Sequence, residues 1–383
     1  MDTNRAAVRR EALRECGAPP GALDELLAYT ESPFDPARLD SISLPLADEP
    51  HLDAWAEYER EARDRGIFPT LARRLVQLRF PIEEGISQTD AYRAATRRGV
   101  FPPGEEAGFA LDSPERLELV LHPTLAGHVP VLTAGSRPDF VRLVRACSSR
   151  NEPERVPDSM GACIVNGLNN WDRVARYRQR LEADRGGPFD EAAWSEAFRG
   201  LVPQKPLYQD RFIILSREPY SAVPASAIGR DDAEWRALSV VIRREHECTH
   251  YFTLRAFGVM RNNLLDELIA DFAGLAGAFG RYDAGLALRF LGLEDFPRYR
   301  AGGRFENYLG TPPLSAAAAD TLKAVVVRAA RNLEAFTAPM DLSTASASAR
   351  LVVALAGLTL EELAGSDASA LLRDRLLSAP GLA

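Results

Sequence analysis

Two of the five histidines in this 383-residue chain, His246 and His250, flank a glutamate in the segment HECTH. Apolar residues recur at helical spacing over 232–257, and residues four apart share one face of a helix. Both imidazoles can therefore reach one metal ion. Glu247 is rotated by about 100° from His246 and can address a water molecule instead. The spacing predicts a metal site with an adjacent general base.

A second predicted helix, capped by Asn262 or Asn263 and ending before Gly280, follows almost at once. It contains LLDELIADFAG, in which Glu267 and Asp271 lie four residues apart on one face. Catalytic zinc takes three protein ligands and leaves a fourth position for water. Glu267 fits the third ligand position. Asp271 could be the carboxylate that hydrogen-bonds to the ring nitrogen that does not bind the metal, and so orients the imidazole.

Together these residues resemble the active-site helix pair of thermolysin-like gluzincins, in which HExxH is followed on the next helix by a Glu-x-x-x-Asp run. The resemblance covers about thirty residues. It implies one Zn²⁺ ion held by His246, His250 and Glu267, with Glu247 as catalytic base and Asp271 as partner of His246. The connection between the helices is shorter than in thermolysin, so Asp266 is the alternative to Glu267 and otherwise a supporting carboxylate.

The proton donor that such peptidases use beside the metal is commonly a downstream histidine, and no histidine follows His250. A tyrosine or arginine must then stabilise the oxyanion. We select Tyr282 and Tyr308 as catalytic candidates from the downstream set, which also holds Tyr299, Arg281 and Arg289.

Three asparagines lie in the segment 158–171, which reads as a strand that leads into a loop. Asn166, Asn169 and Asn170 could line a cleft beside an edge strand, where an extended substrate would add as a further strand. The competing interpretation is that they cap the helix expected over 171–183.

The remaining pattern predicts an α+β protein with a zincin-like core. Residues 1–114 are expected to be mainly helical. Residues 115–310 are expected to form the catalytic core, with strands at 116–123, 128–135 and 211–216 beside the two metal-bearing helices. Residues 311–383 are expected to add two or three covering helices.

Composition narrows the class of protein. The chain is 46% hydrophobic with a net charge of −8, its basic residues are dispersed, and its amino terminus lacks a secretory pattern. We therefore expect a cytoplasmic protein with neither a nucleic acid nor a membrane as partner. The expected substrate is a peptide or an amide-containing small molecule.

Four other interpretations of HECTH compete with zinc hydrolysis. The histidines could be core residues of an ordinary amphipathic helix. Zinc could serve non-hydrolytic carbonyl chemistry, or could stabilise a catalytically inactive interaction protein. A di-iron carboxylate site needs a second ExxH, which the sequence lacks. An intact Glu247 argues against the inactive scaffold, because structural zinc needs no adjacent base.

Overall fold

The computed structural model describes residues 3–101, 108–260 and 263–378. The protein is α+β, as the sequence predicts, with a small sheet and helices at both ends. The helices are α1 (Thr3–Glu15), α2 (Leu23–Tyr29), α3 (Leu52–Arg65), α4 (Ile67–Arg74), α5 (Asp90–Arg98), α6 (Arg137–Ser148), α7 (Trp171–Arg185), α8 (Glu191–Leu201), α9 (Asp232–Phe257), α10 (Leu264–Phe279), α11 (Ala284–Leu291), α12 (Ala316–Thr337), α13 (Ala345–Ala356), α14 (Leu360–Ala364) and α15 (Ala368–Ser378). The strands are β1 (Glu118–Thr124), β2 (Gly127–Thr133), β3 (Ala162–Asn169) and β4 (Gln209–Leu215).

The sheet is mixed and has the strand order β1-β2-β4-β3. Strand β4 pairs in parallel with β2, so that Val131 lies opposite Ile213, and antiparallel with the edge strand β3. The end of β4, Phe212–Leu215, is fully buried because helices α3 and α6 pack on the sheet. All four residues are apolar, and Ile213 and Ile214 are β-branched, a composition typical of a strand covered on both faces.

The described residues divide into two compact units. The first comprises Met1–Leu46, Thr124–Ala126 and Pro219–Ala383, and the second comprises Ala47–Pro123 and Gly127–Glu218. This division does not coincide with the predicted segments 1–114, 115–310 and 311–383. Helix α1 packs on α14 and α2 packs on α12, so the two ends of the chain share a unit. Such pairings are remote in sequence and leave no local pattern.

Helices α9 and α10 begin and end where the sequence predicts. Gly258 and Gly280 follow them in the left-handed conformation, with φ of 71° and 66°, which favours glycine at a helix end. Asn263 caps α10 by accepting a hydrogen bond from the backbone N–H of Asp266. The alternative cap, Asn262, lies outside the described residues.

As far as residue 378, where the described part ends, the carboxyl-terminal region forms four helices, α12 to α15, rather than the two or three expected. A buried capping box at Thr359 and Glu362 starts the five-residue α14, which is too short for a periodic apolar pattern to reveal. Among the described residues, the structure contains no helix both long and apolar enough to cross a membrane.

Candidate metal centre

Three side chains of the first unit converge on one point. His246 and His250 project from α9 and Glu267 from α10, and all three are buried. The two Nε2 atoms are 3.1 Å apart, and Glu267 oxygens lie 3.6 Å from Nε2 of His246 and 3.4 Å from that of His250. Ligands about 2.0–2.1 Å from a tetrahedral ion lie roughly 3.3 Å from one another. The distances between neighbouring donor groups therefore match those around a tetrahedral zinc ion.

A carboxylate lies beside the Nδ1 atom of each imidazole. Asp271 Oδ1 lies 3.0 Å from Nδ1 of His246, and Asp266 Oδ2 lies 3.1 Å from Nδ1 of His250. A carboxylate at Nδ1 favours the tautomer that carries its proton there, which leaves the Nε2 lone pair directed at the shared point. The sequence assigned a supporting position to both aspartates, and the structure places both beside an imidazole.

Two further side chains surround Asp271. The hydroxyl of Tyr220 donates a hydrogen bond of 2.7 Å to Asp271 and lies 2.8 Å from Nδ1 of His246. The guanidinium of Arg304 donates to the other oxygen of Asp271 at 2.5 Å and lies 3.4 Å from Glu267. Burial opposes ionisation, but Arg304 and His246 together lower the pKa of Asp271. Asp271 is therefore an anion fixed on both sides.

The charges of this buried cluster do not balance by themselves. Its three carboxylates, on Asp266, Glu267 and Asp271, face one guanidinium on Arg304, which with neutral imidazoles gives −3 + 1 = −2. Burial acts to lower the pKa of His250, yet Asp266 and Glu267 raise it well above its ordinary value. A His250 imidazolium would offset part of this charge, and a divalent cation bound to neutral imidazoles would offset all of it.

Close packing of α9 against α10 sets the distance between the ligands. A Cβ atom added at Gly274 of α10 would lie 2.8 Å from the backbone oxygen of Ile242 in α9. One added at Gly277 would lie 2.6 Å from Glu245 Cγ. The glycines let the two backbones approach, so that a glutamate side chain from α10 reaches the histidines of α9.

Glu247 differs from the carboxylates around it. Its side chain is half-buried, and no hydrogen bond or ion pair joins it to any residue that the structure describes. An unpaired carboxylate beside the histidines is free to accept a proton. Cys248, within the same segment, is buried, and burial raises its pKa well above the ordinary value, so it stays a neutral thiol.

The two tyrosines predicted as oxyanion donors occupy different surroundings. Tyr308 is buried next to the ligand set, where burial and then the nearby Glu267 raise its pKa. Its backbone oxygen accepts a hydrogen bond from the Tyr29 hydroxyl. Tyr282 packs on Phe272 of α10, and its buried hydroxyl has no hydrogen-bond partner in the described part of the chain. Only Tyr308 adjoins a predicted ligand.

The three predicted substrate-binding asparagines lie in the second unit. Asn166 is exposed on β3, and Asn169 accepts a hydrogen bond from the Gln209 side chain. Asn170 is fully buried, caps α7 and donates a hydrogen bond of 2.7 Å to Asp210. Every partner of Asn170 is internal, so its contacts are those of a structural residue.

The sequence did not identify Tyr220 or Arg304. Tyr220 lies 26 residues before His246, in a turn where Ser221 and Ala222 adopt φ of 52° and 55°. Non-glycine residues adopt such angles only where neighbouring contacts impose them, and here Ser239 of α9 accepts a hydrogen bond from the Tyr220 backbone. Neither residue follows a motif, and a strained turn leaves no signal in one sequence.

No curated protein and no solved structure gives a significant match to this chain. One family model matches residues 11–367, which is most of its length. The chain belongs to that family, described as a family of unknown function (DUF7005).

Proposed function

We propose that this protein is a zinc-dependent hydrolase that cleaves peptides or other amides. The observation that carries the proposal is the convergence of His246, His250 and Glu267. The two Nε2 atoms are 3.1 Å apart, and one Glu267 oxygen lies 3.6 Å from Nε2 of His246 while the other lies 3.4 Å from Nε2 of His250. Each imidazole thus has one carboxylate beside Nδ1 and a second beside Nε2.

The residues present fit zinc in ligand type, spacing and charge. Two imidazoles and one carboxylate form the ligand set of many catalytic zinc sites, whereas structural sites are typically closed by four protein ligands. Bound zinc supplies Lewis acidity, which lowers the pKa of a coordinated water and polarises a carbonyl. The set of three leaves room for that water.

Glu247 is the proposed general base. It follows His246 directly on α9, is half-buried and lacks a partner among the described residues. In the proposed reaction its carboxylate accepts the proton of the attacking water and passes it to the leaving amine, which completes cleavage of the C–N bond.

Tyr308 is the proposed oxyanion donor. Its pKa is raised by burial and by Glu267, so its hydroxyl keeps its proton and can donate a hydrogen bond. Tyr220 and Arg304 are already committed to Asp271 and act as positioning residues, because they hold the carboxylate that orients His246. The chain therefore provides a base, a donor and fixed ligands without a downstream histidine.

The decisive experiment combines metal analysis with Glu247→Gln. We expect the wild-type protein to carry one zinc per chain and to cleave members of a mixed peptide library, with new amino termini detected by mass spectrometry. The glutamine variant should keep its zinc and lose cleavage by about 10²–10⁴-fold, the usual contribution of a general base.

Glu245→Gln is the matched control, because Glu245 is a half-buried glutamate of α9 that pairs with Arg244 outside the ligand set. It should leave both zinc and cleavage unchanged. Absence of zinc from the purified protein would refute the site. A zinc-loaded protein whose cleavage survives Glu247→Gln would refute the mechanism.

A further inference from the structure

The second unit contains a cavity of about 620 Å³, lined on one side by β3. All of its lining residues belong to that unit, so it is separate from the metal ligands. A volume of this size is typical of small-molecule sites, which span about 300–1,000 Å³. Most of the side chains around it are neutral and polar, including Ser87, Thr96, Asn166 and Gln209.

The charged side chains that line the cavity are both cationic. Arg97 and Arg150 both contribute to the lining, and no aspartate or glutamate does among the described residues. Both side chains are exposed, and neither guanidinium makes a hydrogen bond or an ion pair with any residue that the structure describes. The adjacent Glu152 is occupied, since its carboxylate accepts hydrogen bonds from the backbone N–H groups of Gly85 and Ser87. Two unpaired cations facing a polar cavity favour an anionic ligand.

A buried amide also belongs to the lining of the cavity. Gln77 is only 5% exposed, and its Nε2 donates to the backbone oxygen of Asn169 at 3.3 Å. This hydrogen bond fixes the amide beside the cavity.

The loop that carries Arg150 is rigid. Arg150 and Asn151 adopt φ of 53° and 61°, and the fully buried Asn151 side chain donates to the backbone oxygens of Gln77 and Phe80 at 2.9 and 2.8 Å. Tyr92 donates to the remaining oxygen of that amide. These hydrogen bonds hold the backbone of Arg150 at the cavity in a left-handed conformation that non-glycine residues rarely adopt.

We propose that this cavity binds a polyhydroxylated anion of the size of a sugar phosphate or a sugar acid. The two arginines bind the anionic group, and the amides and hydroxyls of the wall bind the hydroxyls. A bare phosphate ion would leave most of the cavity unfilled, and a neutral sugar would leave both guanidiniums unpaired.

The test is calorimetric titration of the full chain at constant ionic strength with four probes: glucose 6-phosphate, glucuronate, glucose and inorganic phosphate. We expect one of the two anionic sugars to bind with 1:1 stoichiometry and a Kd at least tenfold below those of glucose and phosphate. Which of them binds identifies the anionic group as phosphate or carboxylate. Binding should persist in the presence of a zinc chelator.

Three variants locate the binding. Arg97→Ala and Arg150→Ala should each raise the Kd about tenfold or more, because each removes a charge-assisted hydrogen bond. Asn166→Asp adds a negative charge at an exposed lining position and should also weaken binding. The matched control is Arg98→Ala, an exposed residue of the same helix turn that does not line the cavity. Absence of saturable binding, or equal weakening by Arg97→Ala and Arg98→Ala, would overturn the proposal.

Discussion

Each unit buries a polar cluster, and the two clusters differ in where their hydrogen-bonding groups point. In the second unit, the Asp210 carboxylate accepts hydrogen bonds from Trp55, Asn170 and Arg173 at 2.7–2.9 Å. In the first unit, Nε2 of His246, Nε2 of His250 and the Glu267 carboxylate face one another at 3.1–3.6 Å.

The difference is the one expected between a structural cluster and the proposed metal site. Asp210 is an acceptor surrounded by donors, so its network is complete and adds rigidity. The histidine cluster brings the carboxylates of Asp266, Glu267 and Asp271 together beside two imidazoles, with Arg304 as a cation that contacts two of the three. A buried arrangement of that kind is maintained at a cost to folding and is typical of a site that receives a ligand.

The largest expected effect is on metal binding. His246→Ala removes one of three ligands, so the protein should change from one bound zinc per chain to none after dialysis, as measured by elemental analysis. His128→Ala is the control, because His128 is an exposed histidine that pairs with Asp48. Full zinc occupancy in the His246 variant would show that the histidine cluster is a second structural network.

Disruption of the Asp210 network should lower stability and leave metal binding unchanged. Asp210→Ala leaves the buried guanidinium of Arg173 without its counter-ion and should lower the free energy of unfolding by about 3–5 kcal/mol. Zinc content should not change. Urea unfolding of this variant and of Asp184→Ala, an exposed residue on the same helix as Arg173, measures the difference. A loss below 1 kcal/mol would contradict a structural role.

A smaller effect is expected from the carboxylate behind His246. Asp271→Asn keeps the size of the side chain but removes the charge that orients the imidazole, and should weaken zinc binding by about 10–100-fold. Competition with a chelator of known affinity measures the change. Asp295→Asn, at an exposed position outside the cluster, should have no effect. Unchanged zinc affinity in Asp271→Asn would mean that Asp271 only neutralises Arg304.

Local patterns in the sequence were sufficient to predict the helix pair and the residues on it. Helical periodicity, an asparagine cap and two terminal glycines set the bounds of α9 and α10. The four-residue spacings then brought His246 to His250 and Glu267 to Asp271. These predictions succeeded because residues close in sequence on a helix have nearly fixed relative positions.

Contacts between remote segments could not be predicted in this way. Arg304 reaches Asp271 across 33 residues, and its position depends on the turn between α11 and α12 rather than on any periodic pattern. The sequence favours a capping role for Asn170 over substrate binding but leaves both open, and its hydrogen bond to the buried Asp210 separates the two roles. Tertiary packing decides both cases.

The smallest expected effect tests whether the Asp210 network tolerates the loss of one member. Tyr58 accepts a hydrogen bond from Asn170 and donates one of 2.8 Å to Asp172. Tyr58→Phe removes both, but Asp172 keeps its ion pairs with Arg74 and Arg176, and Asn170 keeps its bond to Asp210. The free energy of unfolding should therefore fall by only about 1 kcal/mol, with zinc content unchanged. A loss above 3 kcal/mol in urea unfolding would show that the network acts as one cooperative unit, in which no member is replaceable.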